Sequence, residues 1–259
     1  MTRIGKTLRA LSERGEKALT LFLTGGYPRR ESTRELVPFL AEAGADIIEI
    51  GMPFSDPLAD GPAIQESSTA SLQNGTTLQG VLDDIRKIRA ATEVPLVLMG
   101  YLNPILRYGI RNFFHEAASA GVDGLILPEI PLEELERFSE HFLASKLDRI
   151  LLVTPTTPAG RIEALDRASS GFVYCVSTTG VTGGTAEVLD SYLSSVRSSV
   201  TCNPLQIGFG ISSPEDARRF APFADGVIVG SALIRRLKQN ADHSELRSWV
   251  ASLKKGLLN

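Results

Sequence analysis

Short apolar runs and amphipathic stretches alternate strictly along this chain, eight of each, and few folds accept that order. The apolar runs are Ala18–Thr24, Asp46–Gly51, Pro95–Tyr101, Val122–Pro128, Arg149–Pro155, Gly171–Ser177, Leu205–Gly210 and Gly226–Gly230. They are rich in β-branched residues and bounded by Gly or Pro. Near-continuous hydrophobicity suits parallel strands covered on both faces. Helical periodicity predicts helices over Glu31–Ala43, Thr77–Ala90, Ile110–Ala120, Leu132–Ala144, Gly160–Ala168, Glu187–Val196, Pro214–Phe220 and Ala232–Lys238. The segment before Ala18 and the stretch Ser244–Leu258 read as further amphipathic helices. Such alternation implies a parallel sheet, either a closed barrel or a doubly wound sheet. A (β/α)8 barrel needs about 250 residues, and the chain has 259. No composition shift marks a second domain. The expectation is α/β: a single-domain (β/α)8 TIM barrel over residues 1–259, with extra N- and C-terminal helices. No sequence-level repeat accompanies it.

Composition narrows the function classes. At 43% hydrophobic and 22% charged residues, the chain is globular rather than disordered. A net charge of −3 argues against a nucleic-acid surface. No apolar run approaches the ~18 residues of a membrane span, and the N-terminus lacks the apolar core of a secretory signal. Cys175 and Cys202 set no disulfide or zinc pattern, so a reducing cytoplasm is expected.

The longest polar, glycine-containing segments follow the strands, and in a barrel those loops build the active site. Glu49 stands out. Alternation along Asp46–Gly51 turns Ile48 and Ile50 one way and Glu49 the other. The isoleucines suit a helix-covered exterior, which sends Glu49 into the barrel near its mouth. A desolvated carboxyl there has a raised pKa and can serve as acid and base. Asp60 precedes Gly61-Pro62, where a turn or cap is the simpler reading on spacing alone. A second carboxylate near Glu49 would still suit acid/base chemistry. Glycines mark three consecutive strand ends, at Gly180–Gly184, Gly208–Gly210 and Gly230-Ser231. They are either tight turns or backbone cradles for an anion. Phe22, Tyr101, Phe172, Tyr174 and Phe209 lie on strands or at their ends, as core or as the wall of an aromatic pocket. No lysine sits at a strand's C-terminal end, and His115, His141 and His243 fall in helices. Schiff-base, His-metal and Ser-His-Asp chemistry are therefore disfavoured.

The run Ile48–Gly61, read as IEIGMPFSDPLADG, resembles the signature of the tryptophan synthase alpha chain family. The resemblance continues through Leu98–Pro104, Pro155–Pro158, Gly171–Tyr174, Ser177–Gly183, Gly208–Ser212 and Gly230–Ala232. It implies a (β/α)8 barrel that cleaves indole-3-glycerol phosphate to indole and glyceraldehyde 3-phosphate. It assigns acid/base work to Glu49 and contact with the indole N–H to Asp60. By the same resemblance the indole pocket maps onto Phe22, Met99, Tyr101, Ile126 and Phe209, and Tyr174 is the substrate-site residue that packs beside the catalytic Glu. Thr182 lies on the loop after the sixth strand, and phosphate falls to Gly183, Gly210, Gly230 and Ser231. The implied partner is a beta chain in an alpha2beta2 assembly, met through Asp56 and Pro57. That beta chain carries pyridoxal phosphate and receives the indole. The resemblance implies no cofactor in this chain and no metal. Tyr27 and Glu129 depart from the family's usual residues, which are often Asp at both places, as does the segment Thr185–Glu187. The alternative is a catalytically weak alpha-like subunit that chiefly binds and activates a beta chain. Another phosphate-binding barrel, such as a sugar-phosphate isomerase, is the remaining option.

Overall fold

A computed structural model describes residues 1–177, 186–208 and 210–258. Eight parallel strands close into a barrel in chain order. They are β1 (Ala18–Thr24), β2 (Ile47–Gly51), β3 (Leu96–Met99), β4 (Gly124–Ile126), β5 (Asp148–Val153), β6 (Val173–Val176), β7 (Leu205–Gly208) and β8 (Gly226–Val229). The doubly wound alternative is excluded, because β1 pairs with both β2 and β8.

The helices are α1 (Arg3–Glu13), α2 (Ser32–Ala43), α3 (Pro62–Gln73), α4 (Leu78–Arg89), α5 (Leu102–Tyr108), α6 (Ile110–Ala120), α7 (Leu132–Leu135), α8 (Ser139–Ser145), α9 (Ala159–Ala168), α10 (Ala186–Ser199), α11 (Pro214–Phe220), α12 (Ser231–Lys238) and α13 (His243–Leu257). None among the described residues is long and apolar enough to cross a membrane. Two departures from the periodicity reading are informative. The single helix expected over Leu132–Ala144 is two, joined by a tighter 3-10 turn at Glu136–Phe138. After this turn Phe142 meets the Phe114 ring edge-on, centroids 4.9 Å apart. The short α5 follows β3 in a segment for which the periodicity predicts no helix. Its Pro104 sits in the first turn, where a missing N–H loses no helical bond.

The lower rim, where the strands begin, holds the barrel in place. On α1, Ile4, Leu8 and Leu11 are buried, and Ile4 packs at Gly124, the first residue of β4. The short returns AGAD and AGVD look featureless in sequence, yet each ends in a structural aspartate. Asp46 accepts the Leu19 N–H at 2.7 Å, and Asp123 accepts the Leu96 N–H at 2.8 Å. Asp225 does the same for Leu205, and the Ser170 hydroxyl for Arg149, both at 2.8 Å. The three aspartates also meet cations from the helices: Lys254, Arg89 and Arg197. Within the barrel, the Thr20 hydroxyl donates to Gln206 at 2.6 Å, a fully buried polar layer beneath the site.

α13 closes the outer ring by lying on α11. A Cβ at Gly256 would fall 2.5 Å from the Pro214 carbonyl oxygen, a backbone atom that cannot swing aside. Alanine in a helix normally gains about 1 kcal/mol over glycine, but overpacking costs about 1–3 kcal/mol. Gly256→Ala is therefore expected to lower the urea-unfolding free energy by about 1 kcal/mol. Gly160→Ala, with open space at its Cβ, should hold or raise it; a stabilised Gly256→Ala would contradict this packing.

Candidate active site

The mouth of the barrel holds a cavity of about 110 Å³. Its strand walls come from one parity: Phe22 on β1, Glu49 on β2, Met99 on β3, Tyr174 on β6 and Ile228 on β8. Phe22 and Glu49 are register partners, so they stand side by side at one level. The Phe22 ring lies over Gly51, where a Cβ would come within 2.6 Å of it. Tyr174 lies over Gly208 in the same way, its hydroxyl 2.3 Å from the place a Cβ would take. Loops and helix ends supply the rest: Asp60, Gly61, Ile64, Gly210, Ile211, Gly230 and Ser231.

Glu49 is 0% exposed, and neither carboxyl oxygen has a hydrogen-bond partner among the described residues. Burial without compensation pushes its pKa up to about 8. Ile48 and Ile50, of opposite parity, are fully buried on the outer face of β2. Asp60 is held differently. Burial raises its pKa to about 6, against the phenol of Tyr101, which donates to Oδ2 at 3.1 Å, and with a further push from Glu129. The Tyr101 oxygen in turn accepts the Ala59 N–H at 2.9 Å. Burial, then the nearby carboxyls Glu49 and Asp60, keeps the Tyr174 phenol well above its ordinary value. Both phenols therefore stay protonated at neutral pH.

The far side of the cavity can hold an anion through backbone groups. Gly230 caps α12 and Ser231 opens it, so the first, unpaired N–H groups of that helix lie at the cavity wall. Gly210 adopts φ 78°, a conformation that favours glycine. Among the described lining residues there is no Lys or Arg.

Of the residues picked from sequence, Phe22, Glu49, Asp60, Met99, Tyr174, Gly210, Gly230 and Ser231 converge on this cavity. Tyr101 lines an adjoining recess of about 20 Å³ together with Phe22, Asp60 and Met99. Ile126 is fully buried on β4, in register with Met99, and does not line the cavity. Thr182, Gly183 and Phe209 lie outside the described residues. Asp56 is exposed and Pro57 half-buried, on a loop whose next residue, Leu58, is 92% exposed. Tyr27 is buried, whereas Glu129 is exposed and accepts the Leu102 N–H at 2.5 Å where α5 begins. Ile228, Ile211, Ile64 and Gly61 were not singled out beforehand. Strand parity could have found Ile228, two residues before Gly230; Ile64 carried no signal beyond an apolar side chain on a new helix.

The sequence profile of the tryptophan synthase alpha chain family matches residues 8–255. The tryptophan synthase alpha chain of Citrifermentans bemidjiense is 47% identical over 264 residues, covering 100% of this chain and 98% of that one. That of Geotalea uraniireducens is 46% identical, covering 99% and 98%. Among solved structures, the tryptophan synthase alpha subunit of Legionella pneumophila superposes with a TM-score of 0.92 at 36% identity, covering 99% and 98%.

The Glu49 pKa has a thermodynamic signature independent of turnover. Its carboxyl takes up its proton at about 8 when folded, against an ordinary 4.5. The folded state thus binds the extra proton between those values, and stability falls as pH rises through that window. Glu49→Gln removes the penalty. Its stability relative to the parent should be pH-independent below about 4, climb between about 4.5 and 8, and level off above. Urea titrations at pH 4, 6 and 9 read this directly; a flat difference would mean that Glu49 titrates normally.

Proposed function

The chain belongs to the tryptophan synthase alpha chain family and is the lyase subunit of tryptophan synthesis that cleaves indole-3-glycerol phosphate; we propose that Glu49 and Asp60 divide the chemistry of that cleavage between them. The observation carrying this reading is the contrast between two carboxyls on one cavity. At pH 7 Glu49, with its pKa near 8, is a proton donor, while Asp60, near 6, is an anion.

The bond to be broken joins ring carbon C3 of the indole to the hydroxyl-bearing carbon of the glycerol phosphate. Glu49 donates its proton to C3, and positive charge develops on the ring nitrogen. Asp60 accepts the ring N–H and stabilises that charge in a site with little water. Glu49, now a carboxylate, takes the proton from the side-chain hydroxyl. The oxygen closes to an aldehyde, the carbon–carbon pair returns to the ring, and neutral indole leaves with glyceraldehyde 3-phosphate. Glu49 ends as it began, so the retro-aldol step consumes no cofactor.

We place the indole ring between Phe22, Met99, Tyr101 and Tyr174, with Ile126 supporting Met99 from the neighbouring strand; Thr182 and Phe209, outside the described residues, are assigned to the same pocket by the family resemblance. Phosphate is assigned to Gly183, Gly210, Gly230 and Ser231, supported by the helix start at Ser231 and the lack of lining cations among the described residues. Family membership carries a beta chain as partner. We assign its contact to Asp56 and Pro57, beside the exposed Leu58, in an alpha2beta2 assembly. Pyridoxal phosphate is assigned to that partner, since no lysine lines the described cavity to bind it as a Schiff base. We take residues 1–259 as one domain and the cytoplasm as its compartment; both described thiols are free.

Glu49→Gln should lower kcat for indole release by about 10²–10⁴-fold with KM little changed. Asp60→Asn should lower it by about 10²–10³-fold. The kcat/KM profile should rise through about 6 as Asp60 ionises and fall through about 8 as Glu49 loses its proton. No indole from the wild-type chain, alone or with a beta chain, would overturn the lyase assignment.

A further inference from the structure

We propose that Ser68, on the second turn of α3, is a positioning residue that sets Asp60 against the substrate ring by clamping the loop between β2 and α3 at Phe54. The proposal rests on the role of Asp60 given above. Ser68 is 4% exposed, and its hydroxyl makes two bonds to a single residue. It accepts the Phe54 N–H at 2.8 Å and donates to the Phe54 carbonyl at 2.9 Å. Both backbone polar groups of Phe54 thus end on one side chain, which holds the peptides on either side of that residue.

The clamp reaches Asp60 through an aromatic contact. The Phe54 ring lies on Tyr101, centroids 5.3 Å apart and planes 32° apart. The Tyr101 oxygen then takes the Ala59 N–H and gives its proton to Asp60. The loop is therefore tied near its start at Phe54 and at its end at Ala59 and Asp60, and both ties meet on one phenol ring. Ser68 and Asp60 also face the same small recess behind the cavity.

The base of the clamp is firm. α3 and its C-terminal cap seat on the end of β1 and the segment after it through polar side chains. Thr24 and Ser67 share a hydrogen bond of 2.6 Å, Ser71 donates to the Gly25 carbonyl, and Asn74 donates to the Gly26 and Pro28 carbonyls at 3.0 and 2.9 Å. Apolar contact is non-directional, whereas hydrogen bonds fix an angle as well as a distance. A helix seated this way holds its rotation about its own axis, and with it the direction of Ser68.

The test reads Asp60 without turnover. Four titratable groups face its carboxyl: Tyr101 at the start of α5, Glu129 after β4, Glu49 on β2 and Tyr174 on β6. All four remain in the variants, so only the loop's hold changes. Carboxyl-labelled full-length protein is titrated by carbon NMR, with the Asp60 signal assigned by Asp60→Asn. In Ser68→Ala the loop opens to water, and the Asp60 midpoint should fall from about 6 towards its ordinary 3.8. Indole-release kcat should drop by about tenfold, with KM moving less. Ser68→Thr keeps the hydroxyl and should restore both. Phe54→Leu breaks the ring contact but spares the serine bonds, so it should shift Asp60 in the same direction and covers the case in which Ser68→Ala does not fold. An Asp60 midpoint unmoved in the folded variants overturns the proposal while leaving the lyase reading intact. Absence of indole from the wild type sinks the lyase reading and leaves the NMR titration to decide the clamp.

Discussion

Closure of eight strands into a ring dictates the rest of this molecule. A closed ring has no edge, and every strand must turn alternate side chains inward and outward. The outward set is greasy because helices cover it. The inward set has room for only a few layers, and here one of them is polar: Thr20 bonded to Gln206. A carboxyl placed one level higher, at Glu49, is shut off from the surface and has no hydrogen-bond partner among the described residues. Its high proton affinity is thus a consequence of strand parity and ring closure together, with no special neighbour required.

Asp60 obtains its milder character from the opposite circumstance. It comes from a loop, keeps some access to solvent, and has a phenol donating to it. The contrast in acidity between the two carboxyls follows from where the chain places each: one in the wall, one on the rim. The described lining of the cavity contributes no cationic side chain. The proton donor and the anion then keep their different pKa values without a fixed positive charge to pull both down.

Legibility in the sequence followed the range of the physics involved. Alternation is a local rule, so the eight strands, the inward turn of Glu49 and the outward turn of its isoleucine neighbours could be read directly, whereas ring closure rested on chain length and the number and spacing of the units. Asp60 could not, because a solvated turn aspartate and one drawn to a cavity wall look alike until the fold brings Tyr101 beside them. Ile64 and Ile211 join the cavity only through the packing of elements distant in sequence. The break between α7 and α8 was invisible because both halves keep one apolar periodicity across the tighter turn. The aspartates that end AGAD and AGVD leave no mark in the sequence, because one bonded to a distant backbone N–H is indistinguishable, in a string of letters, from a solvated turn residue.

Those rim residues have a consequence for how the ring comes apart. Asp46 ties β2 to β1, Asp123 ties β4 to β3, Ser170 ties β6 to β5, and Asp225 ties β8 to β7. The junctions between β2 and β3, β4 and β5, β6 and β7, and β8 and β1 have no equivalent side-chain tie among the described bonds. The molecule is accordingly built of four quarters with stapled feet, separated by seams held by backbone ladders and packing. Thermal opening would then run along seams rather than through staples, so a ring with eightfold looks would breathe with fourfold grain.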